Sequence, residues 1–406
     1  MSVLKSIKIS WQARKPLGWA QLTHRKMRLL VAMTGVAFSN ILIFTQLGLR
    51  AMLFDGVTLV PDHLDGDLFL VSAYAPNIDL GRFPKIYLYQ ADAVEGVNSA
   101  SPLYIEFSNW VNPQDLLQPE PDTPQSEFKL FPNQVKILAF NPAQPVLAIP
   151  EINQQLDRLS GPGIVLYDRL GQEKLGPIVE QFNQQGWVST LMSNRRVYVA
   201  GLFSLGSTLF DNGHVVMSDW NYTQWYGQES LEQVNVGCLT LEPGADLEQV
   251  RSQLQTALPP SIRVMTQTEL AAAEQAFRAS LPNGKVLNFG AIMGFIVGLV
   301  IVYQVLYTDV SDHLPEYATL KAMGYSDRVL LGVILQEALI LAVLGFIPGY
   351  FASYGVYQLL VHITRVPLTM KTAVALQVFI LTLVMCGLSG AIAMNKLRSA
   401  DPAEVF

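Results

Sequence analysis

The chain reads as a membrane protein with four transmembrane α-helices and a large mixed α/β extracytoplasmic domain between the first and second of them. Three observations predict this. Of its 406 residues, 50% are hydrophobic and only 15% are charged, where a soluble chain carries roughly 25% charged residues. Four runs, at 29–50, 286–308, 329–351 and 373–394, are almost free of charge. Each is long enough to cross a hydrocarbon core of about 30 Å at about 1.5 Å per residue. Between the first two runs no stretch is long enough to span, and residues 51–284 carry 26 Asp and Glu against 12 Lys and Arg.

Residues 1–28 precede the first span and hold Lys5, Lys8, Arg14, Lys15, Arg25, Lys26 and Arg28 with no acidic residue. A secretory signal would place a short apolar core and a small-residue cleavage site after such a region. Here the apolar run is longer and no such site is evident, so the segment reads as uncleaved. Leu17 to Met27, with Trp19 and Leu22 among basic residues, suits an interfacial helix on the inner leaflet; the plainer reading is a basic flank. The positive-inside rule puts this end in the cytoplasm. Four spans then return the tail, 395–406, to the same side. Residues 309–328 are expected inside as well, with 51–285 on the outer side of the membrane. A short loop on the outer side is expected over 352–372.

Within 51–285, β-branched runs such as Asp67–Val71, Val135–Ala139 and Gly163–Tyr167 alternate with helix-like pieces at Asp246–Ala257 and Thr266–Ser280. That alternation predicts a mixed α/β domain. Val234–Leu241, Asp246–Leu258 and Ser261–Met265 read as one β-α-β unit, with Pro259-Pro260 ending the helix. The polar, Pro-rich stretch Asn112–Pro132 reads as a long loop and a joint between two subdomains. Cys238 falls in this domain and Cys386 in the fourth span, so they are not expected to pair.

The spans contain few polar residues. Asn40, Thr45 and Gln46 in the first suit hydrogen bonds to neighbouring helices. Gly290, Gly294 and Gly298, four apart, share one face of the second span and permit close backbone approach, within one subunit or between two. Glu337 lies inside the third span, where a carboxylate is costly unless it is paired or faces water. It reads either as an ion relay or as a buried hydrogen-bonding group. The lack of a second intramembrane charge favours the latter.

Several chemistries lack their motifs. No G-x-x-x-x-G-K-[ST] phosphate loop occurs, and Gly284-Lys285 lacks both the upstream glycine and the following hydroxyl. His24, His63, His214, His313 and His362 are scattered, with no H-E-x-x-H or paired-cysteine spacing for a metal. Gly201-Leu-Phe-Ser-Leu-Gly206 fails the nucleophile pattern G-x-S-x-G and reads as a surface turn. The acidic domain carries no basic stripe for nucleic acid. No catalytic, metal or cofactor-binding residue is therefore assigned, and ATP would have to be bound by a partner.

The polar stretch 309–328 lies between the second and third spans. Pro315 suits a first helical turn, and Asp312 and Glu316 suit its electropositive end. Leu314, Tyr317, Leu320 and Lys321 recur at helical spacing, and Gly324 can stop the helix. The plain reading is a connecting helix; the sharper one is a coupling helix that docks on a cytoplasmic partner.

Glu316-Tyr-Ala-Thr-Leu-Lys-Ala-Met-Gly324 resembles the E-x-x-x-L-K-A-x-G signature of FtsX/MacB-type permeases of ABC transporters. Pro16–Leu30, Phe44–Arg50, Gly294–Gln304, Gln336–Ile340 and Lys396–Ala403 resemble the cyanobacterial DevC branch. Gly201–Gly206 and Ser218-Asp219 extend that likeness more weakly. The resemblance implies a non-catalytic homodimeric permease in the bacterial inner membrane, driven by a separate cytoplasmic ABC ATPase. Leu314, Glu316, Tyr317, Leu320, Lys321, Met323 and Gly324 would contact that ATPase. It also implies mechanotransmission to the periplasmic domain, in place of a substrate tunnel. Export of a glycolipid or other envelope compound would then use a periplasmic membrane-fusion adaptor and a TolC-like outer-membrane channel. Two alternatives share the architecture: an FtsX-like regulator of a periplasmic enzyme, and a membrane-anchored scaffold or receptor.

Overall fold

The computed structural model describes residues 26–117, 133–208, 211–312, 319, 323, 326–364 and 368–399. The chain divides into two compact units. One comprises Met1–Arg50, Val286–Leu359 and Leu368–Phe406; the other comprises Ala51–Lys285 and Leu360–Pro367.

Helix α1 (Lys26–Thr58) is continuous over 33 residues, about 50 Å at the usual rise. Its last eight residues belong to the second unit. That unit is built on strands β1 (Leu68–Ser72), β2 (Phe83–Pro84), β3 (Val97–Asn109), β4 (Gln134–Phe140), β5 (Ile164–Asp168), β6 (Val188–Met192), β7 (Arg195–Phe203), β8 (His214–Ser218), β9 (Gln233–Val234), β10 (Val236–Leu241) and β11 (Ile262–Met265). Between them lie α2 (Ile86–Asp92), α3 (Ile178–Gln185), α4 (Asp219–Tyr226), α5 (Leu247–Ala257) and α6 (Gln267–Ser280). Nine of the strands form one mixed sheet in the order β11-β1-β10-β3-β4-β8-β5-β7-β6.

Burial on both sheet faces explains the continuous apolar runs. Successive side chains alternate between faces, and a strand covered on both sides loses the apolar–polar alternation of a half-exposed one. In β1, Leu68 and Leu70 enter one core with Leu88, Val250 and Leu254 of the covering helices. Phe69 and Val71 enter the opposite core with Val60, Ile78 and Leu270.

The sheet has two halves, but they are not joined at the Pro-rich stretch. The 13 residues of β3 serve both: Val97–Leu103 pair with β10, and Tyr104–Asn109 pair with β4. One strand thus runs through the junction. Of Asn112–Pro132, Pro113–Leu117 is a short helix; residues 118–132 lie outside the described residues. The expected β-α-β unit is split. Strands β10 and β11 each run antiparallel to β1, which lies between them.

Gly201–Gly206 is not a surface turn. Gly201 to Phe203 complete β7, and Phe203 is fully buried with Leu205 close behind. Glycine at both ends suggested a turn; parallel pairing with β5 instead carries the segment into the core.

Helices α7 (Pro282–Asp312), α8 (Asp327–Thr364) and α9 (Thr372–Ser399) follow. Among the described residues four helices are long and apolar enough to cross a membrane: Leu29–Thr58, Gly284–Asp312, Leu331–His362 and Thr372–Ala393. The fold is that of a membrane protein with four such helices and an α/β domain inserted between the first and second. The expected loop at 352–372 is corrected: α8 continues to Thr364, past Pro348. Ser353, Tyr354, Gly355 and Gln358 dilute the hydropathy there without breaking the helix. The interfacial segment 17–27 lies outside the described residues except at its last two positions, which open α1, and residues 400–406 of the tail lie outside them.

Candidate functional site

Two places concentrate polar groups where burial makes them costly. The first is inside the inserted unit. Lys136 stands in the apolar strand β4, yet its side chain is 7% exposed. Its Nζ lies 3.1 Å from Asp79 Oδ2 and 2.9 Å from Asp211 Oδ2, and 5.4 Å from the centre of the Phe107 ring. Burial opposes the lysine's charge, but Asp211 and Asp79 outweigh it and hold its pKa above the ordinary value. Burial likewise pushes the Asp211 carboxyl up, and Lys136, His214 and the Lys136 and Thr208 hydrogen bonds pull it below the ordinary carboxylate range. Charged groups leave water at a large cost, so such a cluster holds only when its members satisfy one another.

Asp168 and His214 extend the network. Asp168, at the end of β5, is fully buried. Its Oδ1 accepts the N–H groups of Leu170 at 3.0 Å and Leu205 at 3.1 Å. Its Oδ2 accepts that of Gly206 at 2.7 Å and faces His214 Nδ1 at 3.3 Å. Gly206 has φ +123°, where a side chain would be strained. This fixes the start of the segment 205–211. Further along, a Cβ on Gly56 would lie 3.0 Å from Thr208 Cβ, so the end of α1 approaches the same segment.

Helix α6 reaches the cluster from the other side. It starts at a capping box, in which Thr266 Oγ1 accepts from Glu269 N and Glu269 Oε2 accepts from Thr266 N; such a pair satisfies two orphan donors of the first turn. Arg251 on α5 pairs with Glu269 at 2.9 Å. Two turns on, Glu274 is buried and accepts the Ile78 N–H at 2.8 Å. Burial raises its carboxyl to about 7, Asp79 adds to that, and the Ile78 bond opposes it. The result is an anchor that ties 51–60, β4, the segment before β8, and α6 to one another.

The second place is the membrane unit. Gly290 would carry a Cβ 2.6 Å from Gln46 Oε1, Gly294 one 3.3 Å from Ile43, and Gly298 one 2.9 Å from Ser39 Cβ and against Met385. The glycine face of α7 therefore lies against α1 of the same chain. Asn40 is fully buried, and its Oδ1 accepts from Thr382 Oγ1 on α9 at 2.6 Å. Thr45 bonds within its own helix, to Ile41 O. Tyr357 Oη donates to Phe44 O at 2.5 Å. Glu337 is fully buried on α8, beside the packed Ala338.

Of the stretch expected to couple to a partner, Met323 is described: it is 63% exposed, and its N–H bonds Thr319 O at 3.0 Å. Leu314, Glu316, Tyr317, Leu320, Lys321 and Gly324 lie outside the described residues. Sequence reading passed over Lys136, Asp168, Asp211 and Glu274, and set His214 aside among the scattered histidines. Their one signal was a charged or polar residue set within or beside an apolar run, as in Gln134–Phe140. Among the described residues no group of three or more His, Cys, Asp and Glu is arranged to hold a metal ion.

Residues 288–402 match the family described as FtsX-like permease C-terminal. The FtsX-like region thus holds nearly all of α7, the stretch 309–328, α8 and α9. Two curated relatives, each named an uncharacterized ABC transporter permease, come from two strains of Mycobacterium tuberculosis, CDC 1551 / Oshkosh and H37Rv. Each is 26% identical over 121 residues, which is 30% of this chain and 33% of the relative. The match therefore spans about a third of the length of either relative. Among solved structures, the periplasmic region of MacB from Actinobacillus actinomycetemcomitans aligns with 54% of this chain and 96% of its own, at TM-score 0.33 and 7% identity. The extracellular domain of the noncanonic ABC-type transporter YknZ from Gram-positive bacteria aligns with 50% of this chain and all of its own, at TM-score 0.30 and 12% identity.

Proposed function

We propose that this chain is the membrane subunit of an FtsX/MacB-type ABC transporter and does no chemistry of its own. A separate cytoplasmic ATPase docks on 309–328, with Glu316, Tyr317, Leu320 and Lys321 at the contact. The observation that carries this reading is the FtsX-like match across 288–402, which encloses that polar stretch in a chain without a phosphate loop. ATP-driven motion passes along the helices to the inserted domain on the periplasmic side. The packing supports that step: glycines on α7 and on α8 let each of these helices pack closely against α1, which suits helices that move as bodies. In the intact assembly the chain is a homodimer. It works with a membrane-fusion adaptor and a TolC-like channel to export an envelope compound such as a glycolipid, as the DevC-like sequence segments suggest.

The test is cysteine cross-linking from positions 314–324 to the candidate ATPase, paired with ATPase assays on the co-purified complex. Cross-links at 317, 320 or 321 and loss of stimulation in Lys321→Ala are expected. No cross-link at any of these positions, with an active ATPase present, would overturn the reading.

A further inference from the structure

The charged cluster of the inserted unit has an imbalance that the proposed function does not use. Lys136 bonds one oxygen of Asp79 and one of Asp211. The other oxygen of each, Asp79 Oδ1 and Asp211 Oδ1, is buried and accepts no hydrogen bond among the described residues. Both carboxylates line a small cavity of about 20 Å³, enough for about one water. Glu274 lines the same cavity and is 6% exposed. Two buried acceptors without a donor and a third carboxyl beside them make a site in which one proton is missing.

We infer that Glu274 binds a proton in the native fold and donates it, directly or through one water, to the Asp79–Asp211 pair, which makes the docking of α6 on the Ile78 turn sensitive to pH. Two carboxylates sharing a low-dielectric site cannot both ionise cheaply, and here Lys136 is already taken by the aspartates. The other charged groups around α6 have their own settings. Arg278, one turn on, lines the cavity and favours the ionised form of Glu274, as Lys136 does. His63 Nδ1 sits 2.8 Å from Leu59 O, Arg263 reaches Ser72 O, and Arg251 holds Glu269. The burial that raises the Glu274 carboxyl to about 7 acts in the same direction as the geometry.

The sign is fixed by linkage. A carboxyl whose pKa is higher in the closed state contributes its full stability below the open-state value and loses it as pH rises through the closed-state value. Opening of the Ile78–Glu274 contact should therefore increase roughly tenfold per pH unit between about pH 4.5 and about pH 7 and level off above.

The experiment is amide hydrogen exchange on the full chain in detergent micelles, corrected for intrinsic rates, reading Ile78 and the α6 amides. The wild type should lose protection over that window. Glu274→Gln, which keeps an acceptor for Ile78 but cannot ionise, should be flat. Asp79→Asn, which removes a neighbouring negative charge, should move the upper limit of the window to lower pH. A flat wild-type profile, or the same slope in Glu274→Gln, would overturn the proposal. So would an unmoved limit in Asp79→Asn if Glu274→Gln does not fold.

Discussion

Lys136 brings a full positive charge into a strand whose other residues are nearly all buried and uncharged. The charge is tolerated because two carboxylates meet it within 3.1 Å. Removing only the lysine leaves two like charges buried together. Lys136→Met should therefore destabilise the chain by about 3–5 kcal/mol, and the triple variant D79N/K136M/D211N should recover most of that loss. Thermal unfolding of the purified chain in detergent reads both; a triple variant no better than the single would show that the ion pairs are not the cause. The same pair sets an acid limit. The Asp211 carboxyl lies below its ordinary range in the fold, so its contribution is present above about pH 4 and is lost as pH falls through the folded value. Little of this was legible in the sequence. Lys136 lies 57 residues from Asp79 along the chain and further from Asp211, and no local pattern links them.

At the scale of elements, the helices of the membrane unit are matched by small residues. Gly349 on α8 would place a Cβ 2.9 Å from Asn40 Cβ and 3.2 Å from Ala37 O; neither is a flexible chain end. Gly355, six residues further along the same helix, has open space at that position. Gly349→Ala should cost about 1–3 kcal/mol because α1 and α8 must separate. Gly355→Ala should be neutral or slightly stabilising, since alanine favours a helix over glycine by about 1 kcal/mol. Thermal denaturation of the two variants side by side decides it, and equal losses would mean that helix propensity, not packing, is at work. These elements were more legible than the site. The apolar lengths marked all four spans, and the helix-like piece Thr266–Ser280 marked α6. The end of α8 was hidden because its last turns mix polar and apolar residues, so hydropathy falls while the helical hydrogen bonding continues. The passage of one sheet through β3 was hidden too, because strand pairing is set by partners distant in sequence.

At the scale of the whole molecule, the proposed orientation places the inserted domain outside and 309–328 inside. It rests on seven basic residues before the first span and an inserted segment of net charge −14 after it, since positive flanks stay in the cytoplasm. The chain's own cysteines make a clean test possible. Cys238 and Cys386 are both free and buried, and burial pushes the Cys238 thiol above its ordinary range. A buried thiol held protonated reacts slowly, so the native chain gives a low background with thiol reagents. Cysteines introduced at Glu242 and at Met323 are both exposed positions. In intact cells a membrane-impermeant maleimide that crosses only the outer membrane should label Glu242→Cys and leave Met323→Cys unreacted until the inner membrane is permeabilised. Labelling of Met323→Cys in intact cells would put 309–328 on the side of the reagent. A cytoplasmic ATPase could not then drive the chain through that segment.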